Sequence, residues 1–344
     1  MLNLARMTRS IPTVLLSVLM SAGAAMAAET VPLPDTISPQ AKAVIEFLQS
    51  AGLKQLKGPA PDDLAGWKAL HDAQEKALEG PNKAVLEQFG ATVTDAVIGG
   101  VPVIDIRPKG WTDDGRLIVY VHGGAFTLFS AHSMAGLGAL VTDAAGMRMI
   151  SIDYTNPPAA QWDKVQAQVD AVLKGIVAQG TPINRVALFG DSAGGNLVMR
   201  AVLKLRDEGA GMPAAVLLFS PWADLSNSGD TAITLPEADP TLSYAGLLAN
   251  SALAYAGGLD LKDPRVSPLF GDFSKGFPPT LIQDGTRTIL LSDSVRTYRA
   301  LKAARQDAVI DLYEGMWHVF QGAPAPEAAE ALASAGAFLR QRLK

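Results

Sequence analysis

Two short glycine-bearing motifs and one histidine carry the chemistry legible in this chain. The first motif is Gly190-Asp191-Ser192-Ala193-Gly194, which follows a β-like run at Arg185–Phe189 and opens a helical stretch at Ala193–Asp207. A serine between two glycines at a strand-to-helix turn is held on a tip too tight for larger neighbours. Its hydroxyl is exposed there, and the helix N-terminus lies beside it to meet developing negative charge. The second motif is His122-Gly123-Gly124-Ala125-Phe126, directly after the run Leu117–Val121. Adjacent glycines after a strand let main-chain N–H groups face a ligand, so Gly123 and Gly124, with the N–H of Ala193, are expected to form an oxyanion hole. His122 sits inside this loop and precedes the nucleophile, a place suited to bracing the loop.

Ser192 needs a base, and the chain has four histidines. His71 lies in an N-terminal helical segment, His122 in the glycine loop and His132 just beyond it. Only His318, in Glu314-Gly315-Met316-Trp317-His318-Val319-Phe320, lies C-terminal to Ser192. The order nucleophile, acid, histidine is the one a strand–turn–helix nucleophile uses. The chemistry these residues can perform is acyl transfer. His318 removes the proton of Ser192, the oxygen attacks an ester or lactone carbonyl, and an acyl-enzyme forms and is hydrolysed. That sequence of steps requires neither a metal nor an organic cofactor.

The elements that must hold these residues can be read from periodicity. Strand-like runs occur at Thr92–Val97, Val101–Arg107, Leu117–Val121, Met149–Tyr154, Arg185–Phe189, Ala215–Phe219, Thr280–Gln283 and Ala308–Tyr313. Helical patterns fall at Ser133–Ala145, Trp162–Val177, Ala193–Asp207, Leu290–Ala304 and Pro326–Arg342. The first two strands are joined by Gly99-Gly100 as a hairpin, and strands and helices alternate thereafter, the pattern of a mostly parallel sheet covered on both faces. Residues 91–344 are therefore assigned to one catalytic domain. The alternation breaks between Phe219 and Thr280, where residues 222–278 contain one helical pattern near Leu242–Tyr255. Such an insertion leaves from the C-terminal edge of the sheet, where ligands bind. With residues 28–90, which carry helical patterns at Pro39–Ala51 and Pro61–Ala77, it is expected to cap the site. Phe126, Phe129, Trp222 and Trp317 are the aromatics placed to line an acyl or alcohol pocket, Phe126, Trp222 and Trp317 being the substrate-binding candidates.

Composition narrows the alternatives. Of 344 residues 48% are hydrophobic and 18% charged, which suits a large packed core. The formal charge of −5 gives no electrostatic footprint for nucleic acid. With no Cys the chain has no disulfide, no thiolate metal site and no cysteine nucleophile. Residues 1–27 read as a secretory signal, with Arg6 and Arg9, a short apolar run from Ile11 to Met20 and the small-residue site Ala25-Met26-Ala27. A periplasmic or secreted product without stable membrane insertion is the expectation.

These motifs, together with Asp153-Tyr154, Gly195-Asn196, Ser220-Pro221-Trp222-Ala223-Asp224-Leu225 and His318-Val319-Phe320, resemble the hormone-sensitive-lipase-like (bacterial family IV) esterases from Val101 to the C-terminus. The resemblance implies an α/β-hydrolase fold with about eight strands and a cap, a small ester or lactone as substrate, and a homodimer joined through the last strand and helix. One departure stands out. Similar enzymes place the catalytic Asp or Glu three residues past a glycine at the end of the strand Thr280–Gln283. That glycine is Gly285, and the acid position holds Thr288, preceded by Arg287. Asp284 stands where relatives carry an apolar residue, and an ionised carboxylate there needs a partner. Asp284 is therefore expected to replace the acid and accept the Nδ1–H of His318, with Asp224 and Asp293 as rivals. A further possibility is that no acid is present and a water holds His318. Competing readings are a ligand-binding protein on a decayed hydrolase scaffold and a hydrolase of amides or polymer-derived esters. A smaller departure, Ala125 in the oxyanion loop where many relatives have a third glycine, is expected to narrow the pocket slightly.

Overall fold

A computed structural model describes residues 31–344; the signal segment expected at 1–27 lies outside the described residues. The hairpin expected from Gly99-Gly100 forms, β1 (Thr92–Ile98) pairing antiparallel with β2 (Val101–Arg107). Next come β3 (Leu117–Val121), α3 (Ala135–Ala145), β4 (Arg148–Ile152), α4 (Trp162–Ala178), β5 (Val186–Asp191), α5 (Ala193–Asp207) and β6 (Ala215–Phe219). After the insertion the chain resumes with β7 (Thr280–Gly285), α8 (Leu291–Ala303), β8 (Ala308–Tyr313) and α9 (Pro326–Arg342). The eight strands make one sheet in the order β1-β2-β4-β3-β5-β6-β7-β8. Strands β4, β3, β5, β6, β7 and β8 run parallel, and the hairpin joins antiparallel through β2 against β4. The alternation of strands with helices dictates this, because a parallel neighbour needs a crossover long enough for a helix.

The central strands β3, β5 and β6 are buried along their whole length, as their unbroken apolar runs require when helices cover both faces. Successive side chains feed two cores. Val119, Leu188, Val216 and Leu218 pack with α4, α5 and Trp222 on one face. Ile118, Tyr120, Phe189, Leu217 and Phe219 pack with α3 and α9 on the other. A third cluster joins α1 (Pro39–Ala51) to α9, with Ile37, Ile45, Met316, Trp317 and Phe320 at its centre.

Helix α2 is longer than the pattern predicts. It begins at Leu64, capped by the Asp63 carboxylate accepting the Gly66 N–H at 2.9 Å, and continues through Pro81 to Phe89 instead of ending at Ala77. The Gly80-Pro81 pair reads as a stop, yet Pro81 is buried and the next residue, Asn82, accepts the N–H of Gly136 and donates to the carbonyl of His132. Packing against α3 outweighs the lost backbone bond. The insertion holds a short helix, α6 (Thr231–Thr234), and a π-helical turn at Tyr244–Leu248 that runs into α7 (Ala249–Ala256). Asn250 donates to the carbonyls of Gly58 and Pro59 at 3.0 and 2.8 Å, so the insertion and the N-terminal segment touch. Among the described residues no helix is long and apolar enough to cross a membrane.

Candidate active site

Ser192 ends the turn between β5 and α5 with φ 52° and ψ −123°, a left-handed backbone at a residue with a side chain. The strain is held from several sides. The Ser192 N–H donates to Phe219 O and its carbonyl accepts from Trp222 N–H, both at 2.9 Å. Gly194 lets the turn close: a Cβ there would stand 1.9 Å from the carbonyl oxygen of Val121, a backbone atom that cannot step aside. Gly194→Ala is expected to lower Tm by about 6–12 °C, the overpacking of a tight backbone contact costing about 3 kcal/mol. Thermal unfolding followed by circular dichroism reads this directly.

His318 follows β8 and reaches the serine. Its Nε2 lies 2.9 Å from Ser192 Oγ, while the serine itself is only 6% exposed. The two residues meet although 126 positions separate them, because two strands, β6 and β7, lie between β5 and β8 and the C-terminal ends of all four share one edge. None of the remaining histidines hydrogen-bonds the serine. His122 stacks on Tyr154 with centroids 4.3 Å apart and braces the glycine loop, as its position implies. His71 reaches the carbonyl of Phe129 at 3.1 Å, and His132 pairs with Asp95 at 2.7 Å.

The acid side departs from expectation. Asp284 makes no hydrogen bond to His318. Its Oδ1 accepts from Ser220 Oγ at 2.7 Å and from Gly285 N–H at 2.9 Å, and its Oδ2 accepts from Ser294 Oγ. The Nδ1 of His318 is buried with no partner among the described residues. The reason is geometric: Asp284 belongs to the strand itself, one residue before Gly285, and Ser220 stands at the end of the neighbouring strand β6 to take its charge. Burial drives the Asp284 carboxyl up to about 7 against the opposing pull of its three donors. Burial alone drives His318 down to about 3, with no carboxylate to hold a proton on the ring.

Neither rival fills the gap. Asp224 binds Ser226, Ser228 and Arg296, the last at 2.7 Å; burial pulls its carboxyl up, but these bonds outweigh it and hold it below the ordinary range. Asp293 accepts the N–H groups of Ala223 and Asp224, each at 2.8 Å, and burial raises it to about 8. It fastens the chain after β6 to α8. Thr288, at the expected acid position, is buried, its hydroxyl accepting the N–H of Leu290 at 3.2 Å. Its loop is clamped by Asp239, which accepts the Ile289 N–H at 2.9 Å, and by Arg287, which donates to the carbonyls of Val31, Pro32 and Ala238.

The oxyanion loop needs a second correction. The N–H of Gly123 is not free: it donates to Asp191 Oδ1 at 2.9 Å, and the Tyr120 hydroxyl donates to the same oxygen at 2.6 Å. Burial raises Asp191 to about 6 despite both donors. The N–H groups of Gly124, Ala125 and Ala193 have no hydrogen-bond acceptor among the described residues. Ala125, at φ 52°, thus keeps an unbonded N–H beside that of Gly124, while the N–H of Gly123 is taken by Asp191. Asp191 and Asn156 are the site-supporting residues that the motifs did not reveal. Asn156 Nδ2 donates to Phe126 O at 2.9 Å and to the carbonyls of Leu128 and Phe129, pinning the loop from outside. A polar residue inside the GxSxG motif, followed across the sheet by a tyrosine, was the available signal for Asp191.

Of the aromatics, Phe126 and Trp222 come together. Phe126 stacks on Tyr255 of α7 with centroids 3.9 Å apart and 5° between planes, and lies 5.6 Å from Trp222. All three are fully buried. Trp317 does not join them; it packs with α1 and α9 in the separate third cluster, because the turn that aims His318 points its neighbour the other way.

The family model for the alpha/beta hydrolase fold matches residues 118–322, from β3 through the His318 turn. The chain belongs to the alpha/beta hydrolase fold family. Among solved structures of this family it is similar to an esterase named E25, with 31% identity, TM-score 0.85 and coverage of 94% of this chain and 99% of that one. A second is an esterase from the bacterial hormone-sensitive lipase family, with 28% identity, TM-score 0.78 and coverage of 89% and 99%. Among curated relatives, an acetyl-hydrolase of Streptomyces hygroscopicus is 36% identical over 237 residues, 68% of this chain and 78% of the relative. An esterase of Acinetobacter venetianus is 34% identical over 253 residues, 69% and 82% respectively. This α/β-hydrolase is therefore of the hormone-sensitive-lipase-like group, as its motifs imply.

Proposed function

We propose that this α/β-hydrolase is a serine carboxylesterase acting on short-chain esters or lactones through an acyl-enzyme. The observation that carries the reading is Ser192 Oγ at 2.9 Å from His318 Nε2, with the glycine loop packed against the serine and the N–H groups of Gly124, Ala125 and Ala193 unbonded among the described residues. In this scheme His318 accepts the Ser192 proton as the oxygen attacks the carbonyl. The three N–H groups receive the oxyanion, the added charge resting against the N-terminus of α5. Collapse of the tetrahedral intermediate expels the alcohol, which takes the proton from His318. Water then repeats the sequence and frees the acid. The stack of Phe126 on Tyr255 supports short acyl chains, since it fills the space next to the loop with rings already in contact. The names of the relatives, an acetyl-hydrolase and an esterase, agree with that choice. The signal-like segment 1–27 supports a periplasmic or secreted site of action.

One observation favours a second reading. Among the described residues His318 has no partner at Nδ1, which is how a hydrolase scaffold that only binds its ligand would be built. The two readings separate on one experiment: the protein is given p-nitrophenyl acetate and butyrate and, in parallel, a fluorophosphonate probe. Turnover of both esters, with the probe attached to Ser192, is expected. An inert protein with Ser192 unlabelled overturns the esterase reading in favour of binding.

A further inference from the structure

The esterase reading leaves open how His318 is aimed, since no side chain among the described residues reaches its Nδ1. The connection runs instead through the next residue. Val319, at φ 52°, donates its N–H to Ser220 Oγ at 3.0 Å, and Ser220, at φ 44°, donates its own hydroxyl to Asp284 Oδ1 at 2.7 Å. Ser220 is fully buried, and its N–H donates to Gln283 O at 2.9 Å, so its position is fixed by the ends of β6 and β7. Two side-chain-bearing residues in left-handed backbone meet through one hydroxyl, directly beside the histidine. A non-glycine residue keeps that conformation only when its surroundings enforce it. Here the enforcing bond is the one to Ser220. Asp284, with its other oxygen held by Ser294, takes the Ser220 O–H and so leaves the hydroxyl's lone pair to face Val319.

We infer that Ser220 is the positioning residue for His318: polarised by Asp284, it holds the Val319 backbone and so fixes the imidazole against Ser192, in place of a carboxylate on Nδ1. The inference rests on the esterase reading. It also accounts for a buried carboxylate at a strand end where an apolar residue would cost less. Asp284 serves the histidine at one remove, through a hydroxyl and a peptide N–H.

The test is a double-mutant cycle on the full chain with Ser220→Ala, Asp284→Asn and both together, read by p-nitrophenyl butyrate kinetics and by the rate of fluorophosphonate labelling of Ser192. Ser220→Ala is expected to lower kcat by about 10- to 100-fold, the worth of a hydrogen bond involving a charged group. KM should change by less than about twofold, because substrate contacts are untouched. The labelling rate should fall by the same factor as kcat. The double variant should be no worse than Ser220→Ala alone, since the two residues act as one unit. Adding Thr288→Asp to Ser220→Ala should recover kcat by supplying a carboxylate to the ring itself. A merely structural serine would lower Tm and leave kcat and labelling at 25 °C unchanged, and that result overturns the inference. Should Ser220→Ala not fold, Asp284→Asn keeps the shape but replaces the carboxylate that polarises Ser220 with a neutral amide, so kcat and labelling should fall together, and unchanged kcat and labelling in that variant overturn the inference equally. A wild type that neither turns over nor labels removes the esterase reading and this inference together. A wild type that is active while the variants match it removes the inference alone.

Discussion

Ser192→Ala and His318→Ala are each expected to cut hydrolysis of p-nitrophenyl acetate by about 10²- to 10⁴-fold, and the double variant by no more than either. The range follows from what is missing. In serine hydrolases with a complete triad, losing the serine or the histidine costs about 10⁶ in turnover, and losing the acid alone costs about 10⁴. The difference, about 10², is what a serine–histidine pair achieves with no acid at all. The Ser220–Asp284 link raises this protein above that floor by as much as it orients the ring, which sets the upper end. Residual activity in the variants comes from the Gly124, Ala125 and Ala193 donors, which do not depend on either side chain. Steady-state kinetics on the three variants decide it. An unaltered rate in Ser192→Ala would mean that another group performs the attack.

The sheet and the two reacting residues were readable from sequence because each rests on local pattern. Apolar runs, turn glycines and the strand–GxSxG–helix context place Ser192 wherever the rest of the chain goes. His318 follows by elimination among four histidines and by chain order. What was not readable depends on which atoms meet across strands. Asp284 stands out as a carboxylate in an apolar place, but its partner is Ser220, 64 residues earlier, and only the pairing of β6 with β7 makes them neighbours. The N–H of Gly123 looks like any other in a glycine loop until Asp191 is seen to take it. Helix α2 runs past Gly80-Pro81 because α3 supplies partners that no local rule contains. Local rules thus give the positions of groups; the third dimension decides which of their donors and acceptors remain free for chemistry.

Thr288→Asp is expected to raise kcat, by about 10- to 1,000-fold, against the usual direction of a substitution beside an active site. Position 288 lies three residues past Gly285, where similar enzymes carry their acid. Its loop is pressed against the histidine turn, with Arg287 N–H donating to Met316 O at 2.9 Å. A carboxylate there can accept the Nδ1–H that has no partner and stabilise the imidazolium that forms when Ser192 loses its proton. The same change must move the pH profile, and its sign is fixed. His318 acts as a base only when neutral, so activity is lost as pH falls through the histidine pKa. Buried without a counter-charge, that pKa is pushed down to about 3, and the wild type should keep a level, low rate from neutral pH to well below pH 5. A carboxylate bonded to Nδ1 favours the charged ring and raises the pKa. The variant should therefore be faster near neutrality, yet lose its advantage on acidification, its acid limb lying above that of the wild type. Rate–pH curves for both proteins test the two parts together. A stronger base that is also the faster catalyst identifies the missing ring partner as what limits this enzyme; a variant with an unchanged limb and rate would show that the introduced carboxylate does not reach the ring.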